Sequence, residues 1–349
     1  MDTKWIAGRV VLSLLTTLSV MAQTVAENNV LKPKPPVQAL HGPGSSEVSS
    51  HSIVRVKIAD GGQGGWLFLP AEPSPNKAPV VIFCHGWSAI LPRGYQAWID
   101  HLVMRGNIVL WPNYQDDLIT PTRVFVPSAV AAIKAGLQIL QSGQYSVRPD
   151  LGRVAVVGHS AGGMVAAGIA ARATAEGLPK MRALMPVEPG DSQRGGVASV
   201  PLADLSTLPA DILMIILVGQ EDTSVGTYDG ERILHESTSV PESNKALFML
   251  HSDDHGSPEL VANHYTPSAT LDPDGSFAKE PYKPGSSRNT IDIGVVNTFD
   301  YLGTWRLLDQ LLDAAFAPEG RNRLFQDPSI LNMGTWSDGV PVKRLTRLN

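Results

Sequence analysis

The stretch Gly158-His159-Ser160-Ala161-Gly162-Gly163 ends an apolar run and opens an alanine-rich segment. Two kinds of local structure need such a sequence. One is a structural strand-to-helix turn whose glycines allow close backbone approach. The other is a turn that holds a serine hydroxyl up to attack a carbonyl, with Gly158 and Gly162 removing the Cβ atoms that would clash. A serine hydroxyl is a poor nucleophile without a base, and the base needs an acid to fix its tautomer. Both residue types follow apolar runs further along the chain. Asp222 follows ILMIILVGQE and is the expected acid, with Glu221 and Glu188 as rivals. His255 follows KALFMLHSDD and is the expected base, with His251 and His264 as rivals. Gly256 and Pro258 suit a loop around His255.

An oxyanion formed at Ser160 needs two N–H donors. The expected pair is the backbone N–H of Ala161 and that of Trp87, in the Cys84-His85-Gly86-Trp87 stretch that closes an earlier apolar run. Trp87 and Met164 are expected to wall the acyl site. His85 is expected to support the oxyanion loop, His159 to pack beside the nucleophile, and Cys84 to be a buried small hydrophobe. The cluster His251, Asp253, Asp254 and His255 has metal-ligating residue types. The need for a base at a strand end favours the catalytic reading there, and no cofactor or metal is expected.

These residues can meet only if the elements between them return each loop to one edge. Alternating or continuous apolar runs predict strands at 52–58, 66–70, 79–86, 107–112, 152–160, 182–189, 211–219 and 245–251. Helical spacing falls at 94–106, 126–143, 164–177, 231–237 and 298–316. This alternation predicts an α/β fold: a mostly parallel central sheet with helices on both faces and an antiparallel N-terminal hairpin at its edge. In such a sheet, ligands bind beyond the carboxyl ends of the strands, where Ser160, Asp222 and His255 all fall.

Composition narrows the class. The chain has 349 residues, 43% hydrophobic and 17% charged, with a net charge of −5, which offers no basic field for nucleic acid. Lys4 and Arg9 precede the apolar run Val10–Ala22, and small residues follow. This predicts a secretory signal peptide over 1–26, with an uncleaved anchor as the alternative. Export to the periplasm or medium is therefore expected, with no stable membrane anchor after cleavage. The single cysteine, Cys84, allows no disulfide within the chain. Residues 27–50, rich in Pro, Ser and Gly, are expected to be a flexible leader, 51–316 the catalytic domain and 317–349 a tail packed on it. The aperiodic segment 256–292 is expected to be a lid, a wall of the site, or a plain surface excursion.

The motifs together resemble the α/β-hydrolase superfamily across residues 52–316. They are most similar to chlorophyllase-like and polyester-hydrolase (cutinase-like) esterases. The resemblance rests on His85-Gly86-Trp87, Gly158 to Gly163, Gly219-Gln220-Glu221-Asp222 and His255-Gly256-Ser257-Pro258. It implies a serine hydrolase that cleaves small or lipid-like carboxylic esters through an acyl-enzyme, without a cofactor. Acyl transfer or perhydrolysis on the same residues is the alternative, and a non-catalytic binding protein of this fold is another. The chain departs from polyester hydrolases in lacking their C-terminal disulfide, and from compact cutinases in its insert after His255 and its tail.

Overall fold

The computed structural model describes residues 32–46, 51–193, 199–269, 295–317, 321 and 323–349. The expected signal segment and residues 270–292 of the expected lid lie outside these. Among the described residues, one nine-stranded sheet runs in the order β1-β2-β4-β3-β5-β6-β7-β8-β9. Its strands are β1 Ile53–Ala59, β2 Gly65–Pro70, β3 Lys77–Cys84, β4 Ile108–Pro112, β5 Arg148–His159, β6 Met181–Val187, β7 Leu213–Gly219, β8 Lys245–Leu250 and β9 Thr346–Arg347. The pairs from β4 through β8 are parallel. The β1–β2 hairpin joins β4 antiparallel, and β9 joins β8 antiparallel. The mostly parallel sheet is the one the alternation predicts, and its order is that of the α/β-hydrolase fold the resemblance implies.

Every residue of β7 is buried, and so are Val154 to His159 of β5, because helices cover both faces. The period of two divides these strands between two cores. Val80, Ile82, Val154, Val156, Met214 and Ile216 face the helices α2 Phe125–Gln141, α3 Ala161–Arg172 and α4 Tyr228–Glu236. Val81, Phe83, Ala155, Val157 and Ile215 face α1 Gln96–Met104 and α5 Arg306–Phe316. β3 sends the chain outward to β4 and then, through α2, to β5 on its other side. This reversal opens a crevice beyond the carboxyl ends of β3 and β5. The loop that begins at His85 and the corner at Ser160 leave the sheet there.

Two features differ from the sequence reading. The helix expected over 298–316 begins as a π-helical turn, Phe299–Trp305, before α5. In the tail, Thr346 and Arg347 pair with Met249 and Phe248, and Met333, Trp336, Val342 and Leu345 are core residues. Where a flexible leader is expected, residues 33–46 are hydrogen-bonded to the rest of the chain. Prolines remove donors but leave carbonyls, and here those carbonyls are used. Ser257 N–H donates to Pro33 O (2.8 Å) and Thr298 Oγ1 to Pro36 O (3.1 Å), while Lys34 pairs with Ser337 through both its N–H and its C=O.

The leader is fastened by a buried carboxylate. Asp309 Oδ2 accepts from Gly44 N (2.7 Å) and His101 Nε2 (2.8 Å), and Arg105 Nε lies 3.2 Å from Oδ1. Asp309→Ala would strand these donors in the interior, a loss of about 3–5 kcal/mol. Urea unfolding monitored by far-UV circular dichroism should show a loss of this size, with a smaller one for Asp309→Asn.

Candidate active site

β5 ends at His159 and α3 begins at Ala161, leaving Ser160 alone at the corner. Its backbone sits at φ 57°, ψ −127°, a conformation a non-glycine residue holds at a cost of about 1–3 kcal/mol. Three hydrogen bonds enforce it: Ser160 N donates to Val187 O (3.0 Å), and Ser160 O accepts from Gly163 N (2.8 Å) and Gly190 N (3.3 Å). The corner is tight enough to need its glycines. A Cβ on Gly158 would strike the Gly162 carbonyl, and one on Gly162 the carbonyls of Cys84 and His85.

The serine hydroxyl reaches a histidine, and that histidine reaches Asp222. His264 Nε2 lies 2.9 Å from Ser160 Oγ, and His264 Nδ1 lies 2.8 Å from Asp222 Oδ2. Asp222 is fully buried at its side chain, and its other oxygen accepts from Ser224 N (2.9 Å) and Val225 N (3.1 Å). The imidazole thus has a fixed carboxylate on one nitrogen and a hydroxyl on the other.

His255, the base expected from the sequence, does not reach Ser160. Its Nε2 pairs with Asp338 in the tail at 2.8 Å, beside Trp336, and its side chain is 36% exposed. The reason lies in the path after β8. Asp253 and Leu260 bridge antiparallel, closing residues 253–260 into a loop that carries His255 to the tail. The returning chain is then held by Glu221 N donating to Ala262 O (2.9 Å) and Ala262 N to Ser252 Oγ (2.9 Å). Two residues later comes His264. The metal reading of His251, Asp253, Asp254 and His255 finds no convergence either. His251 bonds Gln220 and Thr346, Asp253 bonds Trp336 and the Lys343 N–H, and His255 bonds Asp338.

The loop after β3 lies against Ser160. A Cβ on Gly86 would lie 3.5 Å from Ser160 Cβ, so the backbone leading to Trp87 runs beside the serine. Ser88 N donates to Gln115 Oε1 (2.8 Å), Tyr114 OH donates to His85 O, and His85 stacks on Tyr114 at 4.0 Å. Burial lowers the His85 pKa to about 4, which keeps that ring neutral. Cys84 is buried, and burial pushes its thiol well up, away from thiolate chemistry. Among the described residues no acceptor is bonded to the N–H of Trp87 or Ala161. The Trp87 ring is part-buried against Phe125 at 5.8 Å. Met164 is a correction: it is wholly buried in the core and offers no wall to a ligand, because α3 turns that position onto the sheet.

Two further ionisable groups, His159 and Glu188, sit behind the site. Together with His264 they bring nitrogen or oxygen atoms within 4.8 Å of one another, the metal-ligand types that come closest among the described residues. Both nitrogens of His264 are taken by Ser160 and Asp222, and both of His159 by Tyr95 and the His264 carbonyl. A metal would have to break these bonds. Burial first, and then repulsion from Asp222, push the Glu188 carboxyl well above the ordinary carboxylate range. Its Oε2 has no hydrogen-bond partner. In the unfolded chain this group ionises near pH ~4.3. Above that pH the unfolded state sheds a proton that the folded state keeps, so stability falls as pH rises toward the folded pKa. Glu188→Gln removes this penalty. Its stability relative to wild type should increase between about pH 5 and 8 in urea titrations, and a pH-independent difference would contradict the assignment.

Residues 62–218 match the family model described as Chlorophyllase, an α/β-hydrolase-type family. The matched segment holds Trp87, Ser160, Ala161 and Glu188 and ends before Asp222 and His264. No curated protein matches the chain. Over these residues the chain is similar to the chlorophyllase family, and the match indicates a hydrolase of α/β-hydrolase type directed at esters.

Proposed function

We propose that the protein hydrolyses carboxylic esters through an acyl-enzyme on Ser160. The observation that carries this reading is the unbroken line Ser160–His264–Asp222, with bonds of 2.9 and 2.8 Å. His264 Nε2 takes the Ser160 proton as Oγ attacks the ester carbonyl. Asp222 holds the Nδ1–H tautomer and stabilises the imidazolium that forms. The carbonyl oxygen becomes an oxyanion, received by the N–H groups of Trp87 and Ala161; losing one such donor costs about 2.7–4 kcal/mol of barrier. Collapse of the intermediate breaks the C–O bond to the alcohol, which leaves with the proton from His264. Water then enters, gives a proton to His264 and attacks the acyl carbon, and Ser160 departs protonated.

The proposed substrate is an uncharged, apolar ester. Tyr265, 41% exposed, stands edge-on to His264, and the Trp87 ring lies at the oxyanion loop, so apolar surface flanks the reacting atoms. The chain's net negative charge offers no steering to anionic esters.

A fluorophosphonate probe should label the wild type at one site and fail to label Ser160→Ala, with hydrolysis of p-nitrophenyl butyrate falling by about 10³-fold or more. Equal labelling of both proteins would remove Ser160 from the nucleophile role. Labelling without ester turnover would point to acyl transfer in place of hydrolysis.

A further inference from the structure

Three loops meet at Ser160, and a file of hydrogen bonds beneath it links them. Gly86 N donates to Tyr95 Oη (3.2 Å), Tyr95 Oη contacts His159 Nδ1 (2.7 Å), and His159 Nε2 contacts the His264 carbonyl (2.7 Å). Tyr95 is 2% exposed and His159 3%. Burial, and secondarily the nearby His264, hold the His159 pKa well below its ordinary range, so the ring carries one proton. A carbonyl can only accept, which places that proton on Nε2 and leaves Nδ1 to accept from Tyr95. Every bond in the file therefore has one direction.

Each link touches a residue at or beside a reacting group. Gly86 precedes Trp87, the proposed oxyanion donor. His159 precedes Ser160. The last acceptor is the backbone of His264, the proposed base. The Gly86 backbone is seated directly on the file, since a Cβ there would lie 3.0 Å from Tyr95 Oη and 3.5 Å from His159 Nδ1. An apolar pair could fill this space without burying polar atoms, so the hydroxyl and the imidazole need a reason to be here.

We propose that Tyr95 and His159 are positioning residues: a buried relay that sets the spacing between the oxyanion donor at Trp87 and the base at His264. This rests on the reading of the site given above. The relay acts on the transition state, where oxyanion and imidazolium form together, rather than on ester binding. A shift of about 1 Å in such groups costs up to about 100-fold in rate.

Tyr95→Phe deletes the hydroxyl and keeps the ring. His159→Phe keeps a ring and removes both nitrogens, so Tyr95 loses its acceptor. Both variants, their double and the wild type are to be titrated with a fluorophosphonate, so that kcat is expressed per reactive site, and their Tm measured. Each single variant should lose about 10- to 100-fold in kcat per titrated site, with KM within about twofold of wild type. Because both break the same link, the double variant should be no worse than about twofold below the weaker single. A role in folding alone would lower Tm and the titratable fraction while leaving per-site kcat within about threefold of wild type. That result, or losses that multiply in the double variant, would overturn the relay. If the wild type neither labels nor turns over ester, the reading of the site fails instead. Wild-type turnover that disappears in Ser160→Ala but survives in Tyr95→Phe rejects the relay alone.

Discussion

The 2.9 Å bond between Ser160 Oγ and His264 Nε2 joins two parts of the chain 104 residues apart, and both ends must be held for it to exist. On the serine side a backbone at φ 57° is pinned by Val187, Gly163 and Gly190. On the histidine side a short turn through Asn263, Tyr265 and Thr266 carries the ring, and distant contacts complete its placement. His264 lies on an irregular segment after β8 and is set by contacts with Asp222, by Ala262 on Glu221, and by its own carbonyl on His159. The sheet supplies the frame for both, since β5, β6 and β7 are adjacent and parallel and their ends deliver Ser160, Glu188 and Asp222 side by side.

The surroundings of this bond separate charge with care. Asp222 is buried, and its oxygens accept from two backbone N–H groups and meet the imidazole. Glu188, one strand away, is buried with no hydrogen bond at Oε2, whose neighbour is His159 Nε2 at 3.5 Å, and is driven toward its neutral acid form. His159 and His85 are driven toward neutral imidazole by the same burial. Around the Asp222–His264 pair, Glu188, His159 and His85 are thus all driven toward their neutral forms. An imidazolium formed at His264 then finds a single fixed counter-charge.

Much of this was legible in the residues. β3, β5, β7 and β8 announce themselves as apolar runs because both sheet faces are covered, and Ser160 and Asp222 follow from lying just past such runs. The base did not follow. His255 is the better placed by local rules, being nearer the strand end and flanked by loop-forming residues. What diverts it is Asp253, tied to Trp336 and to the N–H of Lys343, about 90 residues away in sequence. No local pattern carries such a contact. The one signal for His264 was its histidine identity on the same connection. Met164 was misassigned for a related reason: an alanine-rich helix shows no clear face until the sheet beneath it is known. The leader was misjudged because proline-rich composition speaks of missing donors, while here it is the carbonyls that bind.

The account stands on His264, and not His255, being the base. Steady-state hydrolysis of a p-nitrophenyl ester by His264→Ala and His255→Ala, measured in parallel with wild type, tests this directly. His264→Ala should lose about 10³-fold or more in kcat. His255→Ala removes only a part-exposed contact with Asp338 and should stay within about twofold of wild type. Near-wild-type turnover in His264→Ala, or a comparable collapse in His255→Ala, would contradict it.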